Sequence, residues 1–237
     1  MKAAGPQTSP FSWLRPLWIA GILVVGTSAG GLAIAVEKPK FELIDKDGSC
    51  EIRRYAPVII AETLVSGDMN AASSKGFRLI ADYIFGNNTL AGAAAEKDSQ
   101  KIAMTAPVML EPVAGAAKIA MTAPVTAEPV DDASTLSAAT QWRIHFVMPA
   151  EYSMPTLPKP NNEAVKLREM PARTFAVLGY SGLNTASRVQ QKTDELSVWM
   201  KAKGLEPTGA PRLARYDPPW TLPMWRRNEI QVEVRMP

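Results

Sequence analysis

Shifted by 115 residues, the chain partly falls on itself. Arg53 lands on Arg168, Ala61 on Ala176, and Ser66-Gly67 on Ser181-Gly182. In both places a run with strand-like alternation leads straight into a segment with helical spacing, and strands resume afterwards. This order, strands then helix then strands, occurring twice, predicts two related halves within one domain. Most neighbouring strands read as hairpin-linked, so the expectation is an antiparallel sheet with helices on one face, open or curled toward a barrel.

The elements have local signals. "FELIDKDGSCEIRRYAPVIIAETLVSG" holds a turn at Lys46-Asp47-Gly48-Ser49 between two alternating runs, and Pro57 interrupts the second because it cannot donate to a ladder. Asp68 is placed to cap a helix on which Met69, Ala72, Gly76, Ile80 and Ile84 share a face, with Phe77 and Tyr83 beside them. In "TQWRIHFVMP", Trp142, Ile144, Phe146 and Met148 share one strand face, and His145 points the other way with Arg143 and Val147. Asn184 is the expected cap of a second helix through Val189, Leu196, Trp199 and Met200, which Gly204 ends. The last strands are expected at about Arg212 to Tyr216 and Asn228 to Val234, joined by the Pro-rich "DPPWTLP".

The first 36 residues have a different character. Lys2 and Arg15 are their only charges, and "PLWIAGILVVGTSAGGLAIAV" runs uncharged to Val36, long enough to cross a bilayer. Positive charge ahead of an apolar run predicts a cytoplasmic N-terminus with everything after it exported. Residues 1–36 are therefore expected to be a signal peptide or a transmembrane anchor, with residues 17–36 meeting the membrane. The body would be tethered outside the cytoplasm, or periplasmic if the signal is cleaved. Without Lys2 and Arg15 the remaining 24 Lys and Arg face 23 Asp and Glu, so the pI near 9.0 does not signal a basic face. Nucleic-acid binding needs clustered cations beside aromatics, and beyond Arg226-Arg227 none is present.

Catalytic signatures are missing as well. The single histidine has no G-x-S-x-G elbow to serve, and there is neither HExxH nor CxxC nor a Gly-rich phosphate loop leading into a helix. Cys50 stands alone, with no base nearby in sequence. The chain reads as a non-enzyme. Eleven methionines and six tryptophans, in contrast, suit core packing or an adaptable apolar pocket for a flat ligand.

The string "KIAMTAPV" occurs at Lys101 to Val108 and again, letter for letter, at Lys118 to Val125. It resembles the most recognisable motif of the SOUL heme-binding protein family. "YAPVIIAETLVSG", "GFRLIADYIFGNN", "WRIHFVMP" and "PPWTLPMWRRNEIQVEV" resemble the flanking blocks of that family, in its order. The likeness spans roughly Lys38 to Val234. It implies an α+β fold: a distorted antiparallel eight-stranded sheet or barrel, built from two pseudo-symmetric βαββ halves (about 38–149 and 160–237) and flanked by two helices. Residues 37–237 would then be the heme-binding domain. The function implied is non-covalent, non-catalytic binding of heme or another porphyrin, for transport, buffering or sensing; protein partners are not indicated.

The resemblance extends to residues. Part of the family is proposed to use an axial histidine, which makes His145 the candidate iron ligand; other members use a hydrophobic groove without one. Met104, Met121 and Tyr55 are the further candidate contacts. Arg53, Arg226, Arg227 and Asn228 are candidates for the propionates, since guanidinium pairs carboxylates bidentately. The alternative for "RRNE" is that it closes the sheet by strand-end hydrogen bonds. Two rival functions stay open: a module for another lipophilic or cationic small molecule, as in effector domains of the same fold, and a ligand-free membrane-tethered protein docking partners through Pro155 to Pro160.

Within each copy of the repeated string, Ile, Met, Ala and Val alternate with Lys, Ala, Thr and Pro, the pattern of a half-buried strand ending at a proline. The family normally shows the string once. A 17-residue duplication predicts an added hairpin with Glu111 to Ala117 as its turn, one copy holding the usual sheet position.

Overall fold

The structure is a computed structural model and describes residues 37–90, 99–113, 136, 139–218 and 220–236. The expected first hairpin forms from β1 (Phe41–Asp47) and β2 (Cys50–Tyr55), turning at Gly48, whose φ of 60° suits a residue without Cβ. After Pro57 comes β3 (Val58–Ser66), then α1 (Met69–Ile84). Asp68 caps α1 by accepting from the amides of Asn70 and Ala71, both at 2.9 Å. Next come a two-residue strand β4 (Asn88–Thr89), β5 (Val108–Pro112), β6 (Gln141–Val147), and β7 (Lys159–Pro160), which pairs only with β4. The second half continues with β8 (Lys166–Met170), β9 (Arg173–Ser181), α2 (Ala186–Ala202), β10 (Glu206–Pro207), β11 (Arg212–Arg215) and β12 (Arg227–Arg235). Thr185 caps α2, not Asn184. Asn184 is instead buried, where its amide donates to Asn228 at 2.7 Å and its carbonyl accepts from Tyr180.

The main sheet runs β1-β2-β9-β12-β11-β5-β6-β3-β8, with β10 added to β12. Apart from β1, this order is a palindrome. Exchanging β2 with β8, β9 with β3, β12 with β6, and β11 with β5 returns it to itself, so the pseudo-twofold axis passes between β5 and β11. The 115-residue offset carries β3 onto β9 end to end. The strand before the long central strand of each half crosses over: β2 pairs β9, and β8 pairs β3. Among the described residues the sheet therefore has ten strands where eight were expected. It is open, a curled half-barrel with β1 and β8 at its two ends.

Both helices cover one face. Trp142, Ile144 and Phe146 of β6, Leu110, Leu213, Ile230, Val232, Leu178 and Ala176 all point there and are at most 2 % exposed. α1 comes very close to β6: a Cβ on Gly76 would lie 2.4 Å from Ile144 Cγ1. The opposite face carries Glu51, Arg53, Glu62, Glu111, Arg143, His145, Arg168, Arg212, Glu229 and Gln231, as the registers of the paired strands require. Arg53, His145, Arg212 and Gln231 are nonetheless buried, because the sheet curls around them.

The first copy of the repeated string is not a strand. Lys101–Pro107 is irregular, and β5 begins only at Val108. Its backbone and hydroxyl groups are used elsewhere: the Ile102 amide donates to Ile84 O, the Ala106 amide to Glu37 O, and the Thr105 hydroxyl to Val147 O, while Pro107 has no N–H. The second copy, the expected turn from Ala114 on, and Met121 lie outside the described residues, as does the apolar run before Glu37. Among the described residues no helix is long and apolar enough to cross a membrane.

Candidate ligand cleft and the charged concave face

At one end of the curl, several chain corners meet around a cleft of about 730 Å³. They are residues 37–40, the β2–β3 corner at Ala56-Pro57, the exit of β6 at Met148-Pro149 with Met154 beyond it, and the β8–β9 corner at Met170-Pro171. Prolines end strands because they cannot continue a ladder, and at these corners they leave few amide donors facing the cavity. Apolar walls come from Val58, Ile59, Val147, Met148, Met154 and Met170, with Glu37, Lys38, Lys40 and Glu169 at the lining as well. Thr105 of the first string copy also lines it.

A narrow extension of about 40 Å³ shares Val58, Val147 and Met170 with the cleft and reaches the concave face at His145, Tyr55, Phe175, Arg212 and Gln231. There the charges form a continuous ladder across the strands. Arg168 forks onto Glu62 (2.8 Å from Nη2), Arg143 lies between Glu62 (3.3 Å) and Glu111 (3.5 Å), and Arg212 reaches Glu111 at 3.4 Å. Arg212 also donates twice to Gln231 Oε1, at 2.8 and 3.1 Å, and its guanidinium lies 3.7 Å from the centre of the Phe175 ring. Further along, Gln231 and Tyr216 both donate to Glu229, which receives Arg53 at 2.9 Å; Arg53 also pairs with Glu51 at 2.6 Å.

His145 sits inside this ladder, 2 % exposed, its Nδ1 unbonded and 4.0 Å from Glu111. Burial pushes its pKa down to about 4, with Arg212 adding to the effect and Glu111 opposing it. The imidazole is therefore neutral at physiological pH. On unfolding it recovers an ordinary pKa near 6.5, so between about pH 6.5 and 4 the unfolded chain binds the extra proton and stability falls as pH falls. The expected loss over that window is about 3 kcal/mol. His145→Gln should shrink the difference in urea-unfolding free energy between pH ~7 and ~4.5, and an unchanged difference would refute the assignment.

The residues singled out by sequence fall in several places. His145 and Tyr55 do come together, both lining the narrow extension. Tyr55 accepts from Arg53, and Arg53 is fully engaged with Glu51, Glu229 and the Phe41 ring, leaving its guanidinium committed within the ladder. Arg227 grips Asp217 with its amide, Nε and Nη2 at 2.7, 3.0 and 2.6 Å. Asn228 is buried between Asn184 and Gly182 O, and Arg226 donates to Thr221 O. Met104 is half-buried and packs against the core. The residues that sequence reasoning passed over are the cleft methionines Met148, Met154 and Met170, together with Arg212, Glu111 and Gln231. Their alternate polar positions looked like ordinary solvent faces, and only strand parity with His145 linked them. Cys50 is buried and its thiol pKa is raised, chiefly by burial, which leaves it unsuited to nucleophilic work. Among the described residues no group of His, Cys, Asp and Glu could hold a bare metal ion.

A heme fits part of this arrangement. The cleft has the volume and apolar walls of a small-molecule site. The extension leading to His145 is about one water in size, so a macrocycle in the cleft does not reach that imidazole without rearrangement.

No curated protein matches the chain. Among solved structures it is similar to the EcmrR C-terminal domain, with a TM-score of 0.52 and 13% identity over 79% of this chain and 98% of that one. EcmrR in its DNA complex gives 0.51 and 13% over 79% and 57%, and an uncharacterized conserved protein from Listeria innocua gives 0.50 and 11% over 79% and 92%. At these identities the likeness concerns the fold alone. A family model described as SOUL heme-binding protein matches residues 36–118 and 113–233. The junction of the two matches falls between the copies of KIAMTAPV, the first match holding one copy and the second the other. With residues 36–233 covered, and in agreement with the motif order, the chain belongs to the SOUL heme-binding protein family.

Proposed function

We propose that this domain binds heme or a related tetrapyrrole, non-covalently and without a chemical step, in the cleft between the β2–β3 and β8–β9 corners. The observation carrying this reading is a proline-framed apolar cavity of about 730 Å³, walled by three methionines, in a member of a heme-binding family. Bound heme would contribute its iron and its Soret chromophore. The chain's part is to enclose the ring between Val58, Ile59, Met148, Met154 and Met170, and to meet the propionates with Lys38 and Lys40. Arg53 and Arg227 already hold carboxylates of the chain itself. This reading makes His145 a structural residue. The domain would act outside the cytoplasm, tethered by residues 17–36 or released into the periplasm, in transport, buffering or sensing.

Hemin titrated into the full chain in detergent is expected to give a saturable Soret shift. Met154→Glu, at a partly exposed wall position, should weaken it about tenfold by placing a charge against the ring, and His145→Gln should leave the spectrum unchanged. Featureless, non-saturating adsorption would sink the proposal, and a changed ligand-field spectrum in His145→Gln would restore that residue as iron ligand. A second reading, a lipophilic cation in the same cleft, is favoured by Glu37 and Glu169 in its lining. Thermal-shift comparison of hemin with lipophilic cations separates the two, since only a ligand of the native state raises its melting temperature.

A further inference from the structure

The loop joining β11 to β12 displays apolar side chains outward. Trp220 is 82% exposed, Leu222 51%, Met224 65% and Trp225 68%. Isolated exposed apolar residues are common, but four within six positions form a patch. The loop is also held in shape. Asp217 clamps its base to the Arg227 amide and side chain, and the Tyr216 amide donates to Arg227 O. Within the loop the Thr221 amide donates to Pro218 O, and Trp225 closes a short 3-10 turn (Pro223–Trp225) on Leu222 O at 2.9 Å. Arg226 Nε ties back to Thr221 O at 2.8 Å. An ordered loop that keeps two indoles out of the core is built for contact with something else.

Its position suggests what that is. Lys38 stands two residues after the apolar run ending at Val36, and its ammonium lies 5.6 Å from the centre of the Tyr216 ring, at the foot of the loop. A chain tethered through residues 17–36 therefore enters the domain at Tyr216, the residue from which the loop departs. Leu183, 50% exposed, lies close to the loop's other end, next to Gly182, whose carbonyl accepts from Asn228. Trp, Leu and Met are residues that settle at the boundary between headgroups and acyl chains.

We propose that the loop from Trp220 to Trp225 docks on the lipid surface, with Trp220, Leu222, Met224 and Trp225 entering the bilayer interface as a second attachment besides the N-terminal one. The docking fixes the orientation of the domain on the membrane. It rests on the reading of residues 17–36 as a membrane segment.

The test uses the full chain in phosphatidylcholine vesicles, in a Cys50→Ser background, with an environment-sensitive fluorophore attached at Leu222→Cys or, as reference, at Val198→Cys. Val198 is 69% exposed on α2, about 20 Å along that helix from the end that Asn184 ties to Asn228 at the start of β12. Nitroxide-labelled lipid should quench the probe at 222 about threefold more strongly than the probe at 198. Equal quenching in protein that floats with the vesicles overturns the docking and leaves the anchor standing. Protein that fails to float overturns both. A probe at 222 that is blue-shifted but unquenched shows the patch covered by protein, residues 1–36 included, and also overturns it. Trp220→Ser/Trp225→Ser should keep hemin affinity within about twofold; a large loss of hemin binding with no change in lipid quenching makes the loop a lip of the ligand site and overturns the proposal.

Discussion

Arg212→Met is expected to destabilise the domain by about 3–5 kcal/mol. Arg212 is 9% exposed, and one guanidinium satisfies three neighbours: Gln231 Oε1 twice, Glu111, and the face of Phe175. Methionine fills the volume but leaves Glu111 with Arg143 at 3.5 Å as its remaining ion pair and strips Gln231 Oε1 of its donors. Losing one partner of a buried pair strands the other, which is the costly direction. Arg212→Lys should recover only part of the loss, because an ammonium cannot fork onto Gln231 and lie flat on a ring at once. The same substitution has a second readout. Arg212 helps to hold the His145 pKa down, so in folded Arg212→Met the imidazole should titrate closer to its ordinary value. Urea unfolding gives the first quantity and NMR titration of the single histidine the second. A cost under about 1 kcal/mol with an unmoved histidine would mean the ladder is surface charge only.

Gly76→Ala should cost about 3 kcal/mol, at a helix-interior position where alanine elsewhere gains nearly one. The added Cβ would come within 2.4 Å of Ile144 Cγ1 and 2.6 Å of Ile144 Cβ. These atoms belong to a fully buried residue in the middle of β6, so neither side can yield without lifting α1 from the sheet. Trimming the partner should restore part of the loss: Gly76→Ala with Ile144→Ala is expected to be less destabilised than the sum of the two single variants, a favourable coupling of about 1–2 kcal/mol. Strict additivity would show that helix and strand do not meet as described.

Much of the fold was legible locally. Asp68 capped its helix, Gly48 made its turn, Pro57 separated β2 from β3, and the 115-residue offset matched β3 to β9. The failures share a cause. Asn184 has the side chain and position of a cap, which are local signals, yet its amide is used 44 residues away on Asn228. KIAMTAPV alternates like a strand, but the amides of Ile102 and Ala106 and the hydroxyl of Thr105 were taken by Ile84, Glu37 and Val147. Periodicity states which residues share a face and not which partner will satisfy their polar groups.

For the site the division is sharper. Strand parity placed His145 opposite Trp142, Ile144 and Phe146, and by itself left open whether that second face met solvent or a groove. The curl of the sheet decided it, bringing Arg212 and Gln231 together with His145 and burying polar residues that alternation alone marks as exposed. The cleft is likewise a product of tertiary structure, since its walls come from corners more than a hundred residues apart. The sequence by itself determined the elements, the doubling of the half and the family, because these are written in spacing between near neighbours. Only the tertiary structure decided the exchange of β2 and β8 between the halves, the buried charge ladder and the approach of Lys38 to Tyr216 at the foot of the tryptophan loop, because each depends on which distant surfaces the fold brings together.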